Sequence, residues 1–182
     1  MTTECLISVG VFDGFSWIRC EGKGSFLNSP LIKAFADERI AAGDKCLAVD
    51  LGACSGMDST FMGTLAGIAT RLIAEDGGVL HIADVGARNQ RSLEDLGLDF
   101  LMEIDPPHAA WRESLGTIRA SLASPQPVKL PSMIQRTMQV LEAHQTLAET
   151  NEKNAKTFSS VVCLLENELA EKQKLAAPPE KS

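Results

Sequence analysis

The residues of this chain best placed to do chemistry lie between Leu47 and Leu65, LAVDLGACSGMDSTFMGTL. Asp58, Ser59 and Thr60 stand directly before an apolar helical run, and an apolar strand ends just upstream at Leu51. This order sets a hydroxyl at a helix N-terminus, where backbone N–H groups lack partners and the helix dipole favours negative charge. A serine placed there can cap the helix, accept a phosphate or act as a nucleophile. Two other motifs invite chemistry. Gly52-Ala53-Cys54-Ser55-Gly56 has the form of a nucleophile elbow with Cys54 as nucleophile. An elbow turns straight into its helix, whereas Met57 and Asp58 intervene here. A strand-to-helix loop of small residues is the plainer reading, and a small Cys54-dependent hydrolase is the minor alternative. Gly22-x-Gly24 falls where a nucleotide-binding fingerprint would lie, but its third glycine is missing and a hairpin precedes it, which favours a glycine-rich turn.

Composition narrows the classes further. The chain has 182 residues, 45% of them hydrophobic, which allows one ordinary domain plus an extension. A formal net charge of −7 argues against nucleic acid and against an anionic-membrane anchor. The acidic N-terminus carries no signal-peptide pattern, and the apolar run 61–73 contains Arg71 and is too short to span a bilayer. Five cysteines without Cys-x-x-Cys spacing read as reduced thiols of a cytoplasmic protein. Only His81, His108 and His144 are available as histidine ligands, and none is spaced with a cysteine as a zinc site requires. No metal, no cofactor and no catalytic residue is therefore assigned.

The elements that must position Ser59 follow from periodicity and breakers. Strands are expected over 5–11, 15–20, 47–51, 79–83 and 100–104, with Asp13-Gly14 as a hairpin turn. Helices are expected from Asn28 or Ser29 to about residue 42 with Pro30 at the start, and over 59–75, 88–96 and 108–122. The order β-β-α-β-α-β-α-β-α predicts an α/β fold with a mixed, partly parallel sheet and packed helices, covering residues 1–122. A Pro-containing linker (123–131) leads to a helical tail (132–176) without Gly or Pro. The tail reads as two helices with a break near Asn151, or as a weak coiled coil, because Thr137, His144, Asn151 and Lys172 interrupt its apolar stripe. It is expected to be dispensable for folding of residues 1–122 and able to drive self-assembly. Residues 177–182 are expected to be disordered.

On the helix after Asp58, Phe61, Leu65, Ile68 and Leu72 share the core stripe. The opposite stripe is Ser59, Gly63, Gly67 and Thr70. Two interior glycines each cost about 1 kcal/mol against alanine. The smooth track they leave is either a place of close packing within the domain or a surface for another protein.

The strand Leu47-Ala-Val-Asp-Leu followed by Met57-Asp58-Ser59-Thr60-x-Met62-Gly63-x-Leu65 resembles the core of STAS domains, the fold of bacterial anti-sigma factor antagonists. Gly22-Lys-Gly-Ser-Phe, Gly78-Val-Leu-His-Ile-Ala and Leu96-Gly97-Leu98 fit the same pattern, so the resemblance covers about residues 5–122. It implies a non-enzymatic, cytoplasmic phosphoprotein acting in partner switching and transcription regulation. Ser59 would be phosphorylated by a serine-kinase anti-sigma factor or a similar regulator and reset by a PP2C-like phosphatase, with Thr60 as the secondary hydroxyl. Asp58, Ser59, Thr60, Gly63, Gly67 and Thr70 would form the partner-binding surface. The alternative is a STAS-like interaction and assembly module in which Ser59 is only a cap. Phe61 departs from the pattern, since the family usually has glycine there, and this departure is expected to alter partner fit.

Overall fold

The computed structural model describes residues 5–178; the expected disorder of the last residues lies, from residue 179 on, outside them. β1 (Leu6–Phe12) and β2 (Phe15–Gly24) form the predicted antiparallel hairpin, turning at Gly14 with φ +82°. β3 (Cys46–Asp50) lies parallel to β2, β5 (Val79–Ala83) parallel to β3, and the short β6 (Glu103–Ile104) parallel to β5. The path is β1-β2-β3-β5-β6, with β4 (Cys54–Met57) paired to the far end of β2. Around this mixed sheet stand α1 (Ser29–Ala41), α2 (Ser59–Ala74), α3 (Ala87–Asp95) and α4 (Leu115–Ser121), followed by α5 (Met133–Thr150) and α6 (Glu152–Ala176).

Side chains alternate across the strands, so the central strands β2, β3 and β5 feed two cores. Ile18, Leu47, Val49, Leu80 and Ile82 meet Ile32 and Phe35 of α1 and Phe61, Leu65 and Leu72 of α2 on one face. Trp17, Ala48 and Ala83 meet Trp111 and Ile118 on the other. The Trp17 and Trp111 rings cross edge-to-face with centroids 5.4 Å apart.

Four local expectations are corrected. Gly22 and Gly24 belong to β2 and pair with β4, so they form no turn and no phosphate loop. Residues 54–57 are a strand, because the C-terminal half of β2 offers them a pairing edge. The helix expected over 108–122 is only α4, preceded by a short 3-10 turn (Arg112–Ser114), because Trp111 is turned into the second core. The strand expected over 100–104 shrinks to β6, since Gly97 with φ +69° starts a 3-10 turn (Leu98–Phe100) that seats Leu98 in the core.

The break at Asn151 is where expected. Asn151 is extended, and its Oδ1 accepts from the Asn154 N–H at 2.8 Å, capping α6. A capping box between Ser132 and Gln135 starts α5. α5 and α6 run antiparallel: Lys172 Nζ donates to Thr137 Oγ1 at 2.9 Å, and Gln145 Nε2 to Glu166 Oε1 at 3.2 Å. The hairpin is not a trailing tail, however. Leu147 and Phe158 join the main core, and the side-chain amides of Asn151 and Asn154 donate to Leu96 O at 3.2 and 2.8 Å. The linker is pinned at its start by a two-way backbone bridge between Val9 and Ala123. The interruptions that made the stripe look weak as a coiled coil are groups that bond to neighbours in the folded chain.

The sheet end is fastened by a buried carboxylate. Asp50 is fully buried at the end of β3 and accepts from Arg19 Nη1 (2.7 Å), Arg119 Nε (2.8 Å) and Nη2 (2.9 Å), and the Gly52 N–H (2.9 Å). Arg119 also reaches Asp84 Oδ2 at 2.6 Å, and this ties α4 across the ends of β3 and β5. Burial pushes the Asp50 carboxyl up, but the two arginines and the Gly52 N–H outweigh it and hold it below the usual carboxylate range. Asp44 is likewise held down by its hydrogen bonds from Arg39, against burial. A carboxyl whose pKa is depressed on folding contributes stability above its unfolded pKa, and that stability is lost as pH falls through the folded one. Stability should therefore decline below about pH 4. Melting temperatures of wild type and Asp50→Asn between pH 7 and pH 2.5 check this: the wild type should lose more across the acid limb, and parallel curves would contradict it.

Candidate functional site

Asp58 organises the start of α2. Its backbone N–H donates to Gly24 O at 2.9 Å, Oδ1 accepts from the Phe61 N–H at 2.8 Å, and Oδ2 accepts from the Phe26 N–H at 2.9 Å. One side chain thus caps α2 and holds the loop between β2 and α1 beside it. Capping by Asp58 relieves Ser59 of that task, so the reading of Ser59 as only a cap does not hold.

The Ser59 hydroxyl is instead bonded to α5, with its oxygen 3.0 Å from His144 Nε2. His144 Nδ1 lies 2.8 Å from Val140 O, a group that can only accept. Nδ1 therefore carries the proton, and in the neutral ring Nε2 accepts from the Ser59 O–H. His144 is buried, and its ring meets Phe158 of α6 edge-on at 5.6 Å. A serine, a histidine and an orienting carbonyl make the outline of a nucleophile–base pair. The neighbouring groove is walled by Thr60 and Gly63 but by neither Ser59 nor His144. Thr60 is buried at 7% exposure, which leaves Ser59, half-buried, as the more accessible hydroxyl.

The glycine track divides into two halves. At Gly63 an added Cβ would overlap the Ala143 carbonyl and stand 2.9 Å from Ala143 Cβ, so α5 packs there against bare backbone. At Gly67 nothing lies within 4 Å of that position, and Thr70 beyond it is exposed. A groove of about 920 Å³ opens here, with Leu31, Gly67, Val140 and Thr146 among its walls. The structure thus brings Ser59 and Gly63 under α5 and leaves Gly67 and Thr70 uncovered. The expectation that the whole track faces a separate protein is corrected for Gly63, where the neighbour is this chain's own helix.

Phe61 is fully buried and points away from the track. Its ring fills the space above Gly24, where an added Cβ would be 2.9 Å from three ring carbons. The departure at Phe61 is absorbed inside the core, against Gly24.

Cys54 lies in β4, extended and paired with Gly22, five residues before α2, so no elbow forms. Its Sγ is 3.3 Å from Gly56 O, and no histidine is among its hydrogen-bond partners. A hydrogen bond from Cys20 pulls the Cys54 thiol down against burial, while Cys20 itself is pushed up by its bonds to Cys5 and Cys54. Cys5 and Cys20 Sγ are 3.2 Å apart. Among the described residues no group of three His, Cys, Asp or Glu side chains is placed to hold a metal, and no helix is long and apolar enough to cross a membrane.

His144 was the residue missed as part of the site. Its signal was present: it occupies a stripe position of α5 between Leu141 and Leu147, where a polar ring needs a partner.

The STAS domain family model matches residues 7–110. The chain belongs to the STAS domain family. Its fold is similar to an anti-sigma factor antagonist from Mycobacterium paratuberculosis, with a TM-score of 0.51 at 21% identity over 65% of this chain and 99% of that one. It is similar also to the TM1081 protein of Thermotoga maritima, with a TM-score of 0.50 at 19% identity over 61% of this chain and 86% of that one. No curated protein matches the sequence. The α5–α6 hairpin lies outside the matched residues.

The two halves of the track should respond oppositely to the same substitution. Gly67→Ala should stabilise by up to about 1 kcal/mol through helix propensity. Gly63→Ala should destabilise by about 1–3 kcal/mol through overpacking against α5. Urea denaturation of the full chain checks both, and equal responses would contradict the close approach at Ala143. By the same reasoning Gly24→Ala should cost about 1–3 kcal/mol, and adding Phe61→Leu should return part of it.

Proposed function

We propose that this chain is a partner-switching phosphoprotein of the anti-sigma factor antagonist kind. In its unphosphorylated form it binds a serine-kinase anti-sigma factor or an analogous regulator. Phosphorylation at Ser59 releases that partner, and a PP2C-like phosphatase restores the free hydroxyl. The partner surface is Asp58, Ser59 and Thr60 with the open part of the track, Gly67 and Thr70. Such a switch works in the cytoplasm and regulates transcription, without chemistry by this chain itself.

The observation that carries this reading is the division of labour at the helix start. Asp58 satisfies the orphan N–H of Phe61, so the Ser59 hydroxyl is free of backbone duty. A phosphate adds about −1.5 to −2 charge. The α2 N-terminus favours that charge through its dipole, while the carboxylate of Asp58 opposes it. The larger effect falls on a partner matched to a hydroxyl. Family membership supports the reading, as does the name of the mycobacterial protein of like fold.

A second reading is a STAS-like interaction and assembly module without phosphorylation. It is favoured by one observation, that α5 already sits on the Ser59 face.

Incubation with the cognate kinase and ATP should add one phosphate, mapped to Ser59 by mass spectrometry. Ser59→Ala should lose it, and Ser59→Asp should weaken partner binding while the fold is kept, since an acid is acceptable at a helix start. Equal labelling of Ser59→Ala at another residue would remove the proposal, and a wild-type chain that takes no phosphate would favour the module.

A further inference from the structure

We infer that the α5–α6 hairpin is an intramolecular cover over the Ser59 end of α2, competing for the surface that kinase and partner would use. The inference rests on the reading of Ser59 as the switch residue and adds a layer of control to it. Three contacts make the cover. Ser59 gives its hydroxyl hydrogen to His144 Nε2. Gly63 lets the α5 backbone come so close at Ala143 that no side chain fits between the helices. Phe158 of α6 closes over His144 from behind.

The geometry makes covered and engaged states mutually exclusive. A kinase must take the Ser59 hydroxyl out of its bond to His144 and bring its own surface to the first turn of α2. α5 occupies that place down to Gly63. A phosphate on Ser59 would need room where Oγ now lies 3.0 Å from His144 Nε2 under α5.

The same hairpin is built to leave as a unit. Beyond α2 it is held by Leu147 and Phe158, which reach the main core, and by a few polar bonds: Asn151 and Asn154 to Leu96 O, and Lys153 Nζ to Asp95 O at 3.4 Å. Glu142 and Lys33 form only an exposed ion pair at 3.9 Å. The linker 124–131, with prolines at 125, 127 and 131, forms no helix or strand and gives the hairpin reach after Ala123 is pinned to Val9. The uncovered half of the track, Gly67 and Thr70, offers an incoming partner a first contact while the cover is still in place.

The test uses the full chain and needs no kinase. Ser59→Cys is introduced as an accessibility probe, and alkylation by N-ethylmaleimide at position 59 is followed by peptide mass spectrometry, with exposed Cys163 as the reagent control. Amide hydrogen exchange of α2, α5 and strands β3 and β5 is measured in parallel. Ala143→Arg cannot be accommodated against Gly63, so it should release α5, raise exchange in 133–150 and speed labelling at position 59 by about tenfold or more. Protection in β3 and β5 should persist. Asn154→Ala, which does not touch α2, should act in the same direction and more weakly, and it decides the matter if Ala143→Arg unfolds the sheet. The inference is overturned if α5 stays protected in Ala143→Arg, or if α5 is released and labelling at position 59 is unchanged. In a separate measurement with Ser59 intact, a failure of the cognate kinase to label Ala143→Arg would remove the phospho-switch reading and leave the measured cover standing.

Discussion

The structure around the site depends on Asp58 accepting two backbone hydrogen bonds at once. One carboxylate oxygen takes the Phe61 N–H and so starts α2; the other takes the Phe26 N–H and so sets the loop that leads into α1. Its own N–H reaches Gly24 at the end of β2. Strand, loop and helix are thus joined through one residue. Replacing the cap with alanine would cost the helix about 1 kcal/mol, but the larger loss would be geometric. Ser59 faces α5 only because Asp58 has fixed where α2 begins.

Much of this could be read from residue types. The hairpin at Asp13-Gly14, the helix starting at Ser59 and the break at Asn151 each came from a local signal that tertiary packing did not override. The failures have a common physical origin. β4 has no strand-like composition; Cys54 to Met57 is extended because β2 runs long enough to pair with it, a fact of register and not of local preference. The helix expected over 108–122 is shortened to α4, because Trp111 is buried in the second core against Trp17. In both cases a distant element decided the local conformation.

The candidate site shows the same split. Ser59 and its cap could be read along the chain, and Gly63 and Gly67 could be recognised as costly for a helix interior. What could not be read was which surface justifies that cost. Residue types allow both close packing within the chain and docking of another protein, and the structure applies the first to Gly63 alone. His144 is 85 residues from Ser59 in sequence. A contact at that separation leaves only an indirect trace, a polar ring in a buried stripe.

The two glycines therefore carry different constraints despite sharing one face of one helix. Gly63 is held by sterics, because any side chain meets the α5 backbone. Gly67 meets nothing, so its missing side chain is not explained by packing within this chain. Its cost to the helix, about 1 kcal/mol, is borne where α2 borders the groove. That groove, of about 920 Å³, runs between α2 and α5 and is walled also by linker residues such as Pro127 and Leu130.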